Sequence, residues 1–548
     1  MIHYHPRTGR FHCVKRTRVS RRRGWEVLCP TPQSVQRLTT LQLVFDAFLS
    51  GVEDETVTKM AKRPARWVGL PSAPALGRAV REFMLRRSFT LREFIMTLLL
   101  PSLRVALEFP TLFTAASPRE DSAPTTVEDI GAMRNCSVVV NQPVVSFTRR
   151  QMWCLLSNMF FRTFASRTEA VTRDDAEVGG ADDLDWVDAR MLPTTDYTEI
   201  FAAPDGANNV EVTKLLLLFD FLTDAQRWTP LHGAEVEMTA YRLRVAPAVA
   251  QGLLPKHWCA VATASAFSPA SSLSSTLGPL LPVVLHPLAE SIDDQQGMIR
   301  LDFANRWIGG GALSGGAVQE EITFAQCPAL NALRWYQSRM GHAESIVVTD
   351  YRQYGRVQAG TYGSLLSYGE AFCPPRTCRG ALLAVDALDF RSDTVDEHSR
   401  AAVYREVMKL VSGLSGAAVH ALPAVAGGNW GCGVFGGDYE LKFLIQWAAC
   451  GIAGKELHYC PFDNNAFEGF VPRVKDRLER GCVPALTTSN LITFLYQLED
   501  APDQGDDEAA PEEMRTATTG EAFGFVWSSF LRHFRLLREE ESSTKESS

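Results

Sequence analysis

Between Leu301 and Phe324 the chain reads LDFANRWIGGGALSGGAVQEEITF, which joins a strand-like run to a helical run through a glycine loop. MIRLDF ahead of the glycines alternates like a buried strand, and EITFAQCPALNALRW after them begins apolar and helical. Gly309, Gly310 and Gly311 lack Cβ atoms, so the backbone there takes positive φ and approaches a bulky ligand closely. Gln319, Glu320 and Glu321 then open the helix, where free N–H groups and the positive dipole end favour carboxylates. Carboxylates in these roles protonate a leaving oxygen and stabilise a developing cation, so the residues point to a glycoside as substrate. The plain alternative is a surface turn beside a solvated Glu pair, and the regular elements on both sides weigh against it.

A second glycine block lies at Gly428–Gln446, GNWGCGVFGGDYELKFLIQ. Gly431, Gly433, Gly436 and Gly437 alternate with Cys432, Val434 and Phe435, and a good helix-forming run follows. A glycine loop that opens a helix aims several N–H groups at one anion, so the block reads as a phosphate cradle. No Gly-Lys-Ser or Gly-Lys-Thr follows it, which excludes a Walker lysine and with it nucleoside-triphosphate hydrolysis. A bound diphosphate fits better than a transferred phosphate. The structural alternative is a tight glycine turn under a helix.

Three glycines, seven residues from Ala312 to Val318, and then Gln-Glu-Glu resemble the signature of the poly(ADP-ribose) glycohydrolases, and DFANR ahead of them matches as well. The block at Gly428–Gln446 is similar to the family's second conserved block, which wraps the diphosphate. Ser146–Phe164 and Leu215–Leu222 look like its helical accessory region, so the resemblance spans roughly Val138 to Asn464. It implies an α/β macrodomain-like fold, a mixed sheet flanked by helices, with an N-terminal all-helical accessory domain.

Residue roles follow from that resemblance. Glu321 is the implied general acid, protonating the ribose oxygen that leaves and then activating water. Glu320 is implied to position the distal ribose hydroxyls and support the cation, and Asp302 and Asn305 to hold ribose hydroxyls and fix Glu321. Gly310, Gly311 and the loop Gly433, Val434, Phe435, Gly436 are implied N–H donors to the phosphates, with Phe435 and Phe462 against the terminal ribose. Asn429 is a weaker candidate, and Gln319 belongs to the motif itself. Ile292 and Asp293 lie where the family keeps an apolar contact and an acid for adenine, with Asp in place of the usual Glu. Tyr354 and Tyr362 are both candidates for the ring that closes over adenine, in a stretch whose spacing departs from the family's. The implied chemistry uses no cofactor and no metal. A macrodomain that binds ADP-ribose without cleaving it is the competing reading, against which the retained Glu pair counts; a scaffold would leave two glycine blocks unexplained.

Composition agrees without deciding the substrate. The 548 residues can bury several cores, and an apolar content of 46% is that of a globular chain. A net charge of −8 argues against a constitutive nucleic-acid binder, although a local positive patch suffices for a polyanion such as poly(ADP-ribose) or a poly(ADP-ribosyl)ated protein. The 12 cysteines show no C-x-x-C or zinc-ligand spacing, which suggests reduced thiols. No apolar stretch is long enough to span a membrane, and no secretory signal opens the chain. KRTRVSRRR, Lys15–Arg23, suits a nuclear address or a polyanion-binding arm, with a mitochondrial transit peptide as a further alternative; the resemblance implies the nucleus and a part in the DNA damage response.

Four regions are expected: a basic arm over 1–33, a helical domain over 34–230 with an acidic insertion near 167–196, a catalytic α/β domain over 231–498, and an acidic linker, helix and tail over 499–548. WCAVATA, LPVVL, MIRLDF, SIVVTDY and GALLAVDALDF are the expected strands.

Overall fold

The structure is a computed structural model, and it describes residues 2–5, 10–13, 30–113, 144–164, 195–204, 209–244, 280–337, 340–359, 366–391, 396–461 and 487–498. The basic run at Lys15–Arg23, the acidic insertion, the acidic linker and final helix, the WCAVATA run, Tyr362 and Phe462 all lie outside the described residues. The chain forms two compact units. The first takes in Met1–Ala240, Trp307–Arg339 and Asp350–Cys378, and the second Tyr241–Arg306, Met340–Thr349 and Arg379–Ser548.

Helices dominate the first unit, principally Pro32–Leu49, Pro74–Arg87, Leu100–Leu107, Arg149–Phe160 and Val210–Ala225. Local signals set their starts. Thr31 accepts from the Ser34 N–H, and Thr148 forms a capping box with Gln151. Helix 210–225 reads VEVTKLLLLFDFLTDA, apolar on all sides, and a helix with that pattern has to sit inside. Its Phe219 ring meets Phe83 at 5.4 Å and Phe94 at 5.5 Å edge-on, each pair adding on the order of 1 kcal/mol to simple burial. Its one central acid, Asp220, is held by Arg87 at 2.6 Å and by the Tyr368 hydroxyl at 2.6 Å, which offsets the cost of its burial. Strands Arg352–Ala359 and Leu366–Thr377 form an antiparallel ribbon in the same unit.

The second unit is built on a mixed sheet. From Glu344–Thr349 the strand order runs through Ala381–Ala384, Ile299–Asp302, Ala424–Gly428 and Glu456–Cys460 to Val283–Leu285. Only the pairing of Ala381–Ala384 with Glu344–Thr349 is antiparallel in this series. Every residue of Ile299–Asp302, Ala381–Ala384 and Ala424–Gly428 is buried, as expected of strands covered on both faces. Within MIRLDF the residues Ile299–Asp302 are therefore the buried strand that the sequence leads one to expect. Helices Arg400–Leu414 and Tyr439–Ala453 pack with the sheet around Trp430, Phe443 and Trp447. Strands and helices thus give the expected α/β macrodomain-like architecture together with a helical N-terminal region. Among the described residues no helix is long and apolar enough to cross a membrane.

Candidate active site

The first glycine loop and the Glu pair both lie in the first unit. Gly309 has φ +90 and Gly310 φ +39, conformations that residues with a Cβ rarely adopt. At Gly309 a Cβ would also fall 2.8 Å from Arg334 Nη1 and 2.9 Å from Phe324 Cε1, so glycine is required there twice over. Trp307 O closes the turn by accepting from the Gly310 N–H at 3.1 Å.

Helix Gln319–Gln326 starts directly after the loop and carries both carboxylates in its first turn. Glu321 Oε1 accepts from the Gly311 N–H at 2.8 Å, and its Oε2 accepts from the Val318 N–H at 3.0 Å. The second contact is half of a capping box; Val318 has no side-chain oxygen to complete the other half. The carboxylate is thus aligned by two backbone donors from opposite ends of the loop. Glu320 Oε1 accepts from the Gly309 N–H, and Glu320 is 2% exposed. Gly316 fits under the acid, where a Cβ would lie 2.9 Å from Glu321 Cγ and Cδ.

Two buried cations hold the loop from below. Arg334 donates to Gly310 O at 2.8 Å. Burial lowers its guanidinium to about 10, while Glu320 and Glu321 favour its charge. Lys214, 4% exposed, donates to Gly311 O at 3.1 Å and to Ser314 O at 2.6 Å. The sequence reading had singled out neither. Their signal was a charged residue inside an otherwise apolar run, KLLLLF for Lys214 and PALNALRWY for Arg334, and nothing short of the fold says which surface such a residue faces.

The second unit holds the other glycine block. Gly431 has φ +76 and would place a Cβ 2.6 Å from that of Ala387. Gly437 donates its N–H to Gly431 O at 3.0 Å, and Gly436 to Gly433 O at 3.2 Å, so the loop is closed by its own backbone. Among the described residues the N–H groups of Gly433, Val434 and Phe435 have no acceptor, and Gly433 and Val434 are exposed. Three such N–H groups ahead of helix 439–453 can bind an anion. Lys442 lies under this loop, its Nζ 4.6 Å from the Trp430 ring centre and paired with Glu406. It was legible in YELKFLIQ as a lysine among apolar residues, but its place beneath Gly431 and Gly437 is a tertiary fact.

The remaining candidates divide likewise. Asp302 ends the central strand of the second unit fully buried, and Asn305 follows it, half-buried. Asn429 donates to Pro461 O at 2.6 Å and accepts from the Tyr459 hydroxyl at 3.1 Å, while Phe435 lies half-buried with Arg391 over its ring. Ile292 and Asp293 share one 3₁₀ turn; Ile292 packs on Ala426 and Cys460, and Asp293 stays partly exposed, 4.0 Å from Arg300. Tyr354 is in the first unit, its fully buried ring edge-on to Phe221 and its hydroxyl donating to Glu237 at 2.9 Å, the arrangement of a core aromatic. Gly310 and Gly311, expected as phosphate donors, spend their N–H groups on Trp307 and Glu321. Among the described residues no cluster of His, Cys, Asp and Glu has the form of a metal site.

Residues 272–469 match the family model described as "Poly (ADP-ribose) glycohydrolase (PARG), Macro domain fold". Poly(ADP-ribose) glycohydrolase 1 of Caenorhabditis elegans is 31% identical over 209 residues, covering 34% of this chain and 26% of that protein. Poly(ADP-ribose) glycohydrolase 2 of the same organism is 29% identical over 209 residues, covering 31% and 39%. Probable poly(ADP-ribose) glycohydrolase 2 of Arabidopsis thaliana is 26% identical over 244 residues, covering 36% and 46%. The chain thus spans between a quarter and a half of the length of these relatives. A crystal structure of the poly(ADP-ribose) glycohydrolase from Thermomonospora curvata is matched at 18% identity over 44% of this chain and 85% of that one, with a TM-score of 0.28, below the level at which two folds can be equated. Residues 272–469 are thus the part of the chain that is similar to the poly(ADP-ribose) glycohydrolase family and its macro domain fold.

Proposed function

We propose that this chain hydrolyses the ribose–ribose O-glycosidic bonds of poly(ADP-ribose), releasing ADP-ribose. The observation that carries the reading is the Glu321 carboxylate, aligned by the Gly311 and Val318 N–H groups at the rim of a glycine loop. In this reading Glu321, protonated, gives its proton to the ribose oxygen that leaves as the C–O bond breaks. The resulting carboxylate then takes a proton from the water that attacks the anomeric carbon, which restores the acid. Glu320 supports the oxocarbenium-like charge, and Asp302 and Asn305 hold ribose hydroxyls. The N–H groups at Gly433, Val434 and Phe435, which have no acceptor among the described residues, suit the diphosphate. Ile292 and Asp293 are offered to adenine. The relatives' names, which state the same activity, support the proposal. Poly(ADP-ribosyl)ated proteins are the partners it implies. Nuclear residence, supported by the basic run Lys15–Arg23, and a part in the DNA damage response are proposed with it.

The test is release of free ADP-ribose from purified poly(ADP-ribose) by wild type and by Glu321→Gln, in EDTA. Release by wild type and loss of roughly 10²- to 10⁴-fold in the variant, with polymer binding kept, supports the role. Turnover retained by the variant removes Glu321 from it. If neither protein releases monomer and both bind polymer, the chain is a reader of ADP-ribose.

A further inference from the structure

Lys214 is the one residue of helix 210–225 whose side chain reaches the glycine loop by hydrogen bonds, among the described residues. Its ammonium donates to the carbonyls of Gly311 and Ser314, at 3.1 and 2.6 Å. Gly311 is the residue whose N–H donates to Glu321, so Lys214 grips the carbonyl side of the residue whose amide side aligns the candidate acid. The charged groups that face Lys214 are Glu321 from helix 319–326, Glu211 from its own helix and Arg334 from the turn Leu333–Tyr336. Glu211 Oε2 is buried without a hydrogen-bond partner among the described residues, and Glu211 Oε1 approaches within 3.2 Å of where a Cβ at Gly315 would stand. An ammonium anchored to two carbonyls between two carboxylates holds the loop between Gly311 and Gly316 in one shape.

We infer that Lys214 is a positioning residue for the proposed hydrolysis: charged, it clamps the loop from Gly311 to Ser314 and so keeps Glu321 in register with the scissile bond. The inference rests on the glycohydrolase reading. A clamp on the acid's alignment acts on the transition state, so its loss lowers kcat and leaves KM alone. Misplacing such a group by an ångström costs up to roughly 10²-fold. The clamp also has a pH limit, because burial lowers the Lys214 ammonium to about 7, with Glu321 and Glu211 opposing that shift and Arg334 adding to it.

The experiment measures kcat and KM for ADP-ribose release between pH 6 and 9 for wild type, Lys214→Met and Lys214→Arg, with a melting curve for each. The expected result is a wild-type kcat roughly 10- to 100-fold above that of the Met variant at pH 6, with KM within about twofold, a ratio that shrinks toward pH 9 as the lysine loses its charge, and an Arg-to-Met ratio that stays constant with pH. A Met variant that melts normally and keeps the wild-type kcat overturns the inference. Should the Met variant fail to fold, the wild-type-to-Arg ratio of kcat decides: a ratio that stays constant between pH 6 and 9 overturns the inference, and a ratio that falls as pH rises supports it. Absence of release by wild type itself refutes the glycohydrolase reading and takes this inference with it, whereas an active wild type with an indifferent Lys214 leaves that reading standing.

Discussion

Glu321 and Gly311 are joined at 2.8 Å, the glycine amide donating to the carboxylate that the proposed reaction uses as its acid. Ten residues separate them, so the contact exists only because the intervening chain turns back through Gly315 and Gly316 to begin helix 319–326. One consequence is that the acid's position depends on backbone conformation as much as on its own rotamer.

Glycine substitutions should therefore differ in cost by site. Gly309→Ala places a Cβ at φ +90 and against Arg334 and Phe324, and should destabilise the protein by about 1–3 kcal/mol while impairing turnover. Gly436→Ala meets φ +68 but has nothing nearer than Arg391 Cγ at 3.7 Å, so about 1 kcal/mol is expected. Denaturant midpoints of the two variants, compared with wild type, check the order; equal losses would refute it.

Stability should depend on pH through Lys214. Its folded-state value of about 7 lies below the ordinary 10.5, so between these values the unfolded chain binds more protons than the native one. Native stability from this group therefore rises with pH through that window, and is least below about 7, where the ammonium is buried at full cost. The difference in unfolding free energy between wild type and Lys214→Met, measured at pH 7 and at 9.5, should move in favour of wild type at the higher pH. A constant difference would show that the lysine does not titrate there.

Under the second loop, Lys442 and Glu406 are both 1% exposed and form an ion pair. Lys442→Met leaves Glu406 with Arg405, at 2.7 Å, and the Leu388 N–H, at 2.9 Å, and removes the support beneath Gly431 and Gly437. A loss of roughly 3–5 kcal/mol is expected from breaking such a buried pair. Adding Glu406→Gln should recover part of it. Thermal melting of the single and double variants tests this, and a double variant no more stable than the single would contradict it.

Helix 210–225 should tolerate little truncation. Leu217→Ala removes a fully buried side chain and is expected to cost about 2–5 kcal/mol. Exposed Leu85→Ala, in helix 74–87, should fall within about 0.5 kcal/mol of wild type. Urea titrations of the two variants make the comparison.

Local and chemical features could be read from the chain alone. A glycine triplet, an acidic pair and a second glycine block name their own backbone demands, because positive φ and helix-start carboxylates are properties of a few adjacent residues. The strand at Ile299–Asp302 and the helices at 319–326 and 439–453 were legible for the same reason: apolar runs of that length and period have few alternatives. The tertiary structure decided which groups lie against them. Lys214 reaches Gly311 across 97 residues of chain, Tyr354 turns inward to Glu237, and the Gly311 amide serves Glu321 rather than standing open. The segment Trp307–Arg339 packs into the helical unit although its sequence runs on from a strand of the sheet. Such contacts come from burying a charged or aromatic side chain where its partner already waits, and a linear pattern records the residue that must be buried without recording what it will meet.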